Sequence, residues 1–154
     1  MLAGRSSDEN ANVCSIGLRG DWDADRHEEE GDNRVHPPPQ VPWFTPSYYT
    51  DGRQRAQLLG DSSQGGAWVD RVKIPANRRV LAHTHPQDEL ITVIEGTWYL
   101  SEGTKFNSTN LKGYPAGSFI VIPAGLPHFV ATKESIAVVQ LNGSGKFRTD
   151  YVEK

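Results

Sequence analysis

Cysteine is nearly missing from this sequence: Cys14 stands alone in 154 residues. One thiol excludes an intrachain disulfide, and the chain has no Cys cluster of the kind that builds structural zinc sites. A reducing compartment is the expectation. Long apolar runs are missing too, since none approaches the ~18 residues that a membrane-spanning helix needs. The stretch Met1 to Asn12 is polar and acidic, with no apolar core of a secretory signal. A soluble, cytoplasmic protein with no membrane partner is expected. Charge of one sign is also not in excess: the formal net charge is −3, too small for a field that gathers nucleic acid or acidic lipid. Nothing resembles a DNA-binding helix-turn-helix, so a small molecule is the expected partner and nucleic acid is not.

The chain length suits one domain with a real core. Residues 1–41 are rich in Asp, Glu, Asn, Gly and Arg, include Glu28-Glu29-Glu30, and close with Pro37-Pro38-Pro39. Such a segment buries too little apolar area to offset chain entropy, so a polar, flexible N-terminal arm is expected there. Its few apolar residues (Val13, Ile16, Leu18, Trp22) suffice for one docked strand, and strand exchange with a second subunit is one use open to the arm. Residues 42–154 read as the folded domain.

From Trp43 onward, β-type runs alternate with turn residues. They cover Arg55 to Leu59, Ala67 to Ile74, Arg79 to His83, Glu89 to Glu95, Thr97 to Leu100, Ser118 to Ile122, His128 to Ala131, Ile136 to Leu141 and Phe147 to Val152. The breaks carry Gly60, Gly65-Gly66, Gly96, Pro123-Ala124-Gly125 and Gly143-Ser144-Gly145, among others. About nine short strands without a helical period predict an all-β sandwich or barrel.

One segment carries chemistry on spacing alone. In His83-Thr84-His85-Pro86-Gln87-Asp88-Glu89, the two histidines are two apart, and side chains two apart on a strand share a face. A Pro-containing turn follows, and Glu89 opens the next strand, where an antiparallel return places its carboxylate beside the two rings. His128 follows the Pro-Ala-Gly turn further on. Three neutral imidazoles and one carboxylate suit Fe, Mn, Ni, Co, Cu or Zn; calcium and magnesium are poor fits.

These segments resemble the two cupin motifs. The first, G(X)5HXH(X)3,4E(X)6G, is matched by His83, His85, Glu89 and Gly96, and the second, G(X)5PXG(X)2H(X)3N, by Gly117, Pro123, Gly125 and His128. The chain departs from them with Asn77 at the leading glycine and Thr132 at the closing asparagine, neither a metal-binding position in the family. The resemblance extends over roughly Trp43 to Val152, including the 20 residues between the motifs that the family uses for a variable hairpin. It implies a jelly roll with a central pocket, one divalent transition metal per chain with Fe(II) favoured, His83, His85, Glu89 and His128 as ligands, and a homodimer.

Bland readings win elsewhere. His27 and His36 lie in the polar arm and read as exposed, and Glu95 opposes the phase of Glu89. Trp68, Trp98, Tyr99, Phe106, Phe119 and Phe129 read mostly as core or interface, with a subset at the pocket mouth. Ile91 and Val93 share the phase of Glu89, Val130 shares that of His128, and Gln140 is the polar residue of an apolar run. A mainly apolar pocket lined by Ile91, Val93, Phe119, Val130 and Gln140 is expected.

Three-His, one-Glu cupins include oxygenases, isomerases, lyases, decarboxylases and ligand-binding regulators, and fold alone does not choose. The leading expectation is an iron-type dioxygenase acting on a small apolar, aromatic or diketone-type molecule, with Glu89 as ligand and proton acceptor. The alternatives are a Lewis-acid lyase, isomerase or decarboxylase, and a non-catalytic binding module. Cupin lyases of sulfonium propionates often carry a tyrosine two residues after the motif glutamate; Ile91 stands there, which lowers that reading.

Overall fold

The computed structural model describes residues 34–154. Most of the arm expected over 1–41 therefore lies outside the described residues, including His27 and Trp22. Val41 is buried at 8% exposure, just after a 3-10 turn at Pro38–Gln40.

Ten strands follow in chain order: β1 (Gln54–Leu59), β2 (Ala67–Ile74), β3 (Arg79–Thr84), β4 (Glu89–Glu95), β5 (Thr97–Glu102), β6 (Lys112–Pro115), β7 (Phe119–Ile122), β8 (His128–Ala131), β9 (Ala137–Ser144) and β10 (Asp150–Tyr151). They form two five-stranded sheets, in the orders β1-β2-β9-β4-β7 and β10-β3-β8-β5-β6, with every pairing antiparallel. The apolar residues of one phase on each strand face the space between the sheets. Val72, Ile74, Ile91, Val93, Trp98, Leu100, Ile122, Val130 and Val139 are the heart of that core.

β9 runs on to Ser144, through residues expected to form a break, and β6 and β10 differ further from the sequence reading. β6 lies within the 20 residues that the resemblance assigns to a variable hairpin, and it carries Gly113 and Pro115, which both disfavour strands. As the outer partner of β5 it tolerates them, and a Cβ on Gly113 would sit 3.0 Å from the Tyr99 ring. The expected strand Phe147 to Val152 narrows to Asp150–Tyr151, which pairs with Thr84 and His83. The residues before it are used for the site instead.

The two departures from the cupin motifs have structural work. Asn77 takes φ +56°, a left-handed conformation that asparagine tolerates in place of glycine. Thr132 donates its hydroxyl to Pro75 O at 2.5 Å and accepts from Arg78 N–H at 3.0 Å, fastening the same turn. Gly96 does need to be glycine. It turns β4 into β5 at φ +73°, and a Cβ there would lie 2.1 Å from Ile136 O.

Candidate metal centre

His83 lies on β3, and a bulge aims it. β3 pairs with β8 at Val80↔Val130 and again at His83↔His128, so three steps on β3 match two on β8. The extra residue returns His83 to the inward phase of Val80, a role that bulges often have beside functional sites. His85 follows the end of β3, Glu89 opens β4, and His128 opens β8. The two motifs are tied together at their turns. Ala124 N–H donates to Asp88 Oδ1 at 2.8 Å, and Gly125 N–H donates to His85 O at 2.9 Å.

All four predicted ligands meet. Ligand nitrogens of His83, His85 and His128 lie within 4.8 Å of one another, the group of this kind among the described residues. Glu89 Oε2 is 3.3 Å from His128 Nε2 and 3.5 Å from His85 Nε2. All four residues are buried.

The tautomers follow from the outer contacts. Each imidazole holds Nδ1 against a backbone carbonyl: His83 against Leu81 O at 2.7 Å, His85 against Arg148 O at 2.7 Å, and His128 against Leu126 O at 3.0 Å. A carbonyl accepts and does not donate, so Nδ1 carries the proton and Nε2 keeps its lone pair. The Nε2 atoms of His85 and His128 are buried without a hydrogen-bond partner, although Glu89 is at ion-pair distance. Lone pairs facing a carboxylate are an unfavourable arrangement that a cation resolves. The donor set fits a borderline divalent metal.

Electrostatics point the same way. Burial pushes the His83 pKa down from 6.5 to about 4, with the charge of His128 adding to the effect, and burial likewise lowers His85. Burial pushes Glu89 up, but the contact with His128 and the charges of His85, His128 and His83 outweigh it, so its carboxyl stands below the usual range. With His83 and His85 neutral at pH 7, the metal-free site holds a buried carboxylate without a full countercharge.

A stability prediction follows for chelator-treated protein. Between pH 6.5 and about 4 the unfolded chain takes up a proton that folded His83 resists, so stability is full above that window and falls within it. The lowered Glu89 adds loss in the same direction at still lower pH. Urea midpoints at pH 7 and pH 4 should differ by the equivalent of about 3 kcal/mol. His83→Gln should show a clearly shallower fall, and an equal slope in both proteins would refute the assignment.

These four residues line a cavity of about 750 Å³. Its walls carry Tyr48, Tyr49, Trp98, Val130, Leu141 and Tyr151, together with the charged pair Arg55 and Asp70. Phe147, from the segment before β10, stacks on the His85 ring with centroids 4.3 Å apart and the planes at 23°.

Of the expected pocket residues, Val130 lines this cavity. Ile91 and Val93 are packed in the core at 0% and 1% exposure. Phe119 and Gln140 require correction, and register gives the reason. Both are opposite Thr92, which is out of phase with Glu89, so they belong to the outer face. Phe119 is 65% exposed, and Gln140 accepts from Arg71 Nε–H at 3.2 Å. The neighbours of Gln140, Val139 and Leu141, line the cavity instead. His36, expected to be exposed, is half-buried and Glu95 is exposed; neither belongs to the histidine cluster.

The sequence reading missed the wall made by Phe44 to Ser63 and the charged pair. Asp70 had left a signal, as the one charged residue in the inward row Trp68, Asp70, Val72, Ile74 of β2. The aromatic wall left none, since Pro46, Tyr48 and Tyr49 lie in irregular chain without a period.

The arrangement of the two antiparallel sheets finds counterparts among solved structures. An RmlC-like cupin protein from Ralstonia eutropha matches at a TM-score of 0.58, with 16% identity over 75% of this chain and 71% of its own. The chain has the cupin fold. A second cupin-like counterpart, the polyketide cyclase RemF of Streptomyces resistomycificus, matches at a TM-score of 0.64, with 18% identity over 79% of this chain and 85% of its own. No protein-family model and no curated protein sequence matches the chain. Among the described residues of this chain, no helix is long and apolar enough to cross a membrane.

Proposed function

We propose that this cupin is a metal-dependent enzyme, with one divalent metal per chain, that converts a small aromatic or diketone-type molecule with dioxygen as co-substrate. The observation that carries the reading is the convergence of His83, His85, Glu89 and His128 on the wall of a cavity whose other walls mix aromatic and aliphatic side chains with charged ones such as Arg53, Arg55, Arg148 and Asp70. A bound Fe(II), the favoured ion, or Mn, Ni, Co, Cu or Zn would supply Lewis acidity and, in the redox-active cases, electron transfer.

The chain's own residues do the rest. Leu81 O, Arg148 O and Leu126 O fix the imidazoles with Nε2 toward the site, so the donors are oriented before any ligand arrives. Tyr48, Tyr49 and Trp98 offer faces for a planar substrate. Glu89 keeps a buried carboxylate whose Oε2 can accept a proton from an enolisable or phenolic group. The cavity walls limit water around that transfer.

A second reading draws on the likeness to RemF, named a polyketide cyclase. In it the same residues hold and deprotonate a polyketone-like molecule, and no oxygen is consumed. Oxygen uptake decides between the two. Protein loaded with iron, manganese, nickel or copper should consume oxygen with at least one small diketone, unsaturated phenol or thiol. Substrate loss without oxygen uptake would move the non-redox reading ahead, and loss of neither would leave the binding-module reading.

A further inference from the structure

β2 turns alternate residues inward, and the row Trp68, Asp70, Val72, Ile74 is apolar except at Asp70. Asp70 is 1% exposed, and burying a carboxylate is costly unless it is paired and hydrogen-bonded. Its Oδ2 accepts from Arg55 Nη2, which also donates to Ser62 Oγ at 2.5 Å. Arg55 Nη1 donates to the Tyr48 hydroxyl at 3.2 Å.

The pairing is incomplete in an informative way. Asp70 Oδ1 and Arg55 Nε–H are both buried, and neither has a partner in the protein. A structural Arg–carboxylate pair usually closes both prongs of the fork, with two parallel hydrogen bonds. Here one prong is made, and one acceptor and one donor are left over. A buried polar group left without a partner is costly, so a native structure that keeps both calls for a reason. Arg55, Asp70, Ser62 and Tyr48 line the same cavity as the metal-type cluster. Trp98, whose Nε1–H is also buried without a partner, lines it as well.

We propose that Asp70 and Arg55 form a hydroxyl-recognising subsite, so that the ligands of this cavity are aromatics carrying a phenolic or enolic hydroxyl. A hydroxyl is the smallest group that satisfies both leftover atoms, donating to Asp70 Oδ1 and accepting from Arg55 Nε–H. The aromatic walls take the ring. A ligand without the hydroxyl leaves the two groups unpaired, and sites built to bind a hydroxyl discriminate strongly against analogues that lack it. This subsite deepens the functional reading above and rests on it for the identity of the cavity. Asp70 and Arg55 are positioning residues; they are not in the reacting set.

The test is calorimetric binding of 2-naphthol and its methyl ether, 2-methoxynaphthalene, to the full chain. Each is measured on zinc-loaded protein, where no redox chemistry intrudes, and again on chelator-treated protein. The naphthol should bind at least about tenfold tighter than the ether in both forms, since a well-placed hydrogen bond to a charged group is worth more than a factor of ten. Asp70→Asn should shrink the ratio. The Arg55→Met, Asp70→Leu double variant, which leaves no unpaired buried charge and so protects the fold, should bring it to about one. A ratio unchanged in the double variant, a ratio near one in the unmodified chain, or no binding of the naphthol would each overturn the proposal. Preference for the naphthol that vanishes with the zinc would assign the hydroxyl to the metal and overturn it too. Failure to hold metal at all would sink the functional reading and leave the chelator-treated comparison standing.

Discussion

Purified protein should contain about one equivalent of a first-row transition metal per chain, and changing both His83 and His85 to alanine should abolish it. The expectation follows from three Nε2 donors and one carboxylate oxygen that converge with few other partners. Two of four ligands contribute far more than half of the affinity, because the remaining pair lacks the geometry to displace the ion's water shell. Single changes, His85→Ala or His128→Ala, should lower the content to a small fraction. Elemental analysis after dialysis measures it, with circular dichroism confirming that the sheets persist. Full metal content in the double variant would refute the site.

Turnover should fall by about 10²–10⁴-fold in Glu89→Gln, with most of the metal and the fold retained. Glutamine keeps the shape and an oxygen donor but removes the negative charge and the proton-accepting capacity. In the metal-free protein Glu89 also stands below the usual carboxylate range, so it is charged at any pH where the protein would be assayed. The comparison needs a substrate identified by the oxygen-uptake screen, and it should be read as kcat at saturating substrate. A variant with unchanged turnover would show Glu89 to be a spectator, which favours a module that binds without catalysis.

The parts of the site that the sequence revealed share one property: they rest on local spacing. His83 and His85 are read from strand periodicity, Glu89 from the turn that follows, and His128 from its place after Pro123-Ala124-Gly125. The bounds of β4 and β8 agree with the expectation because strong alternation and flanking turn residues define them. Legibility ended where position depends on partners distant in sequence. Phe119 and Gln140 look like pocket residues by type, but their faces are decided by pairing with Thr92 across the sheet. β6 carries strand-breaking residues and exists because β5 offers it an edge. Arg148 O orients His85 across 63 positions of chain, which no local pattern encodes. Arg55 and Asp70 are adjacent only because β1 and β2 pair, although the charge in an apolar row was visible.

The bulge between Val80 and His83 makes the two ends of β3 answer to different masters. Upstream of it the inward positions are even-numbered and serve packing; downstream they are odd-numbered and serve chemistry. Val80 and His83 are three residues apart, a spacing that a regular strand sends to opposite faces, so straightening the bulge without removing a residue would turn either Val80 or the imidazoles toward solvent. A descendant altered in that way would still spell out both motifs while being chemically silent. The spelling of the motif is thus necessary for metal capture but insufficient, and the irregular pairing just before it is what makes the letters count.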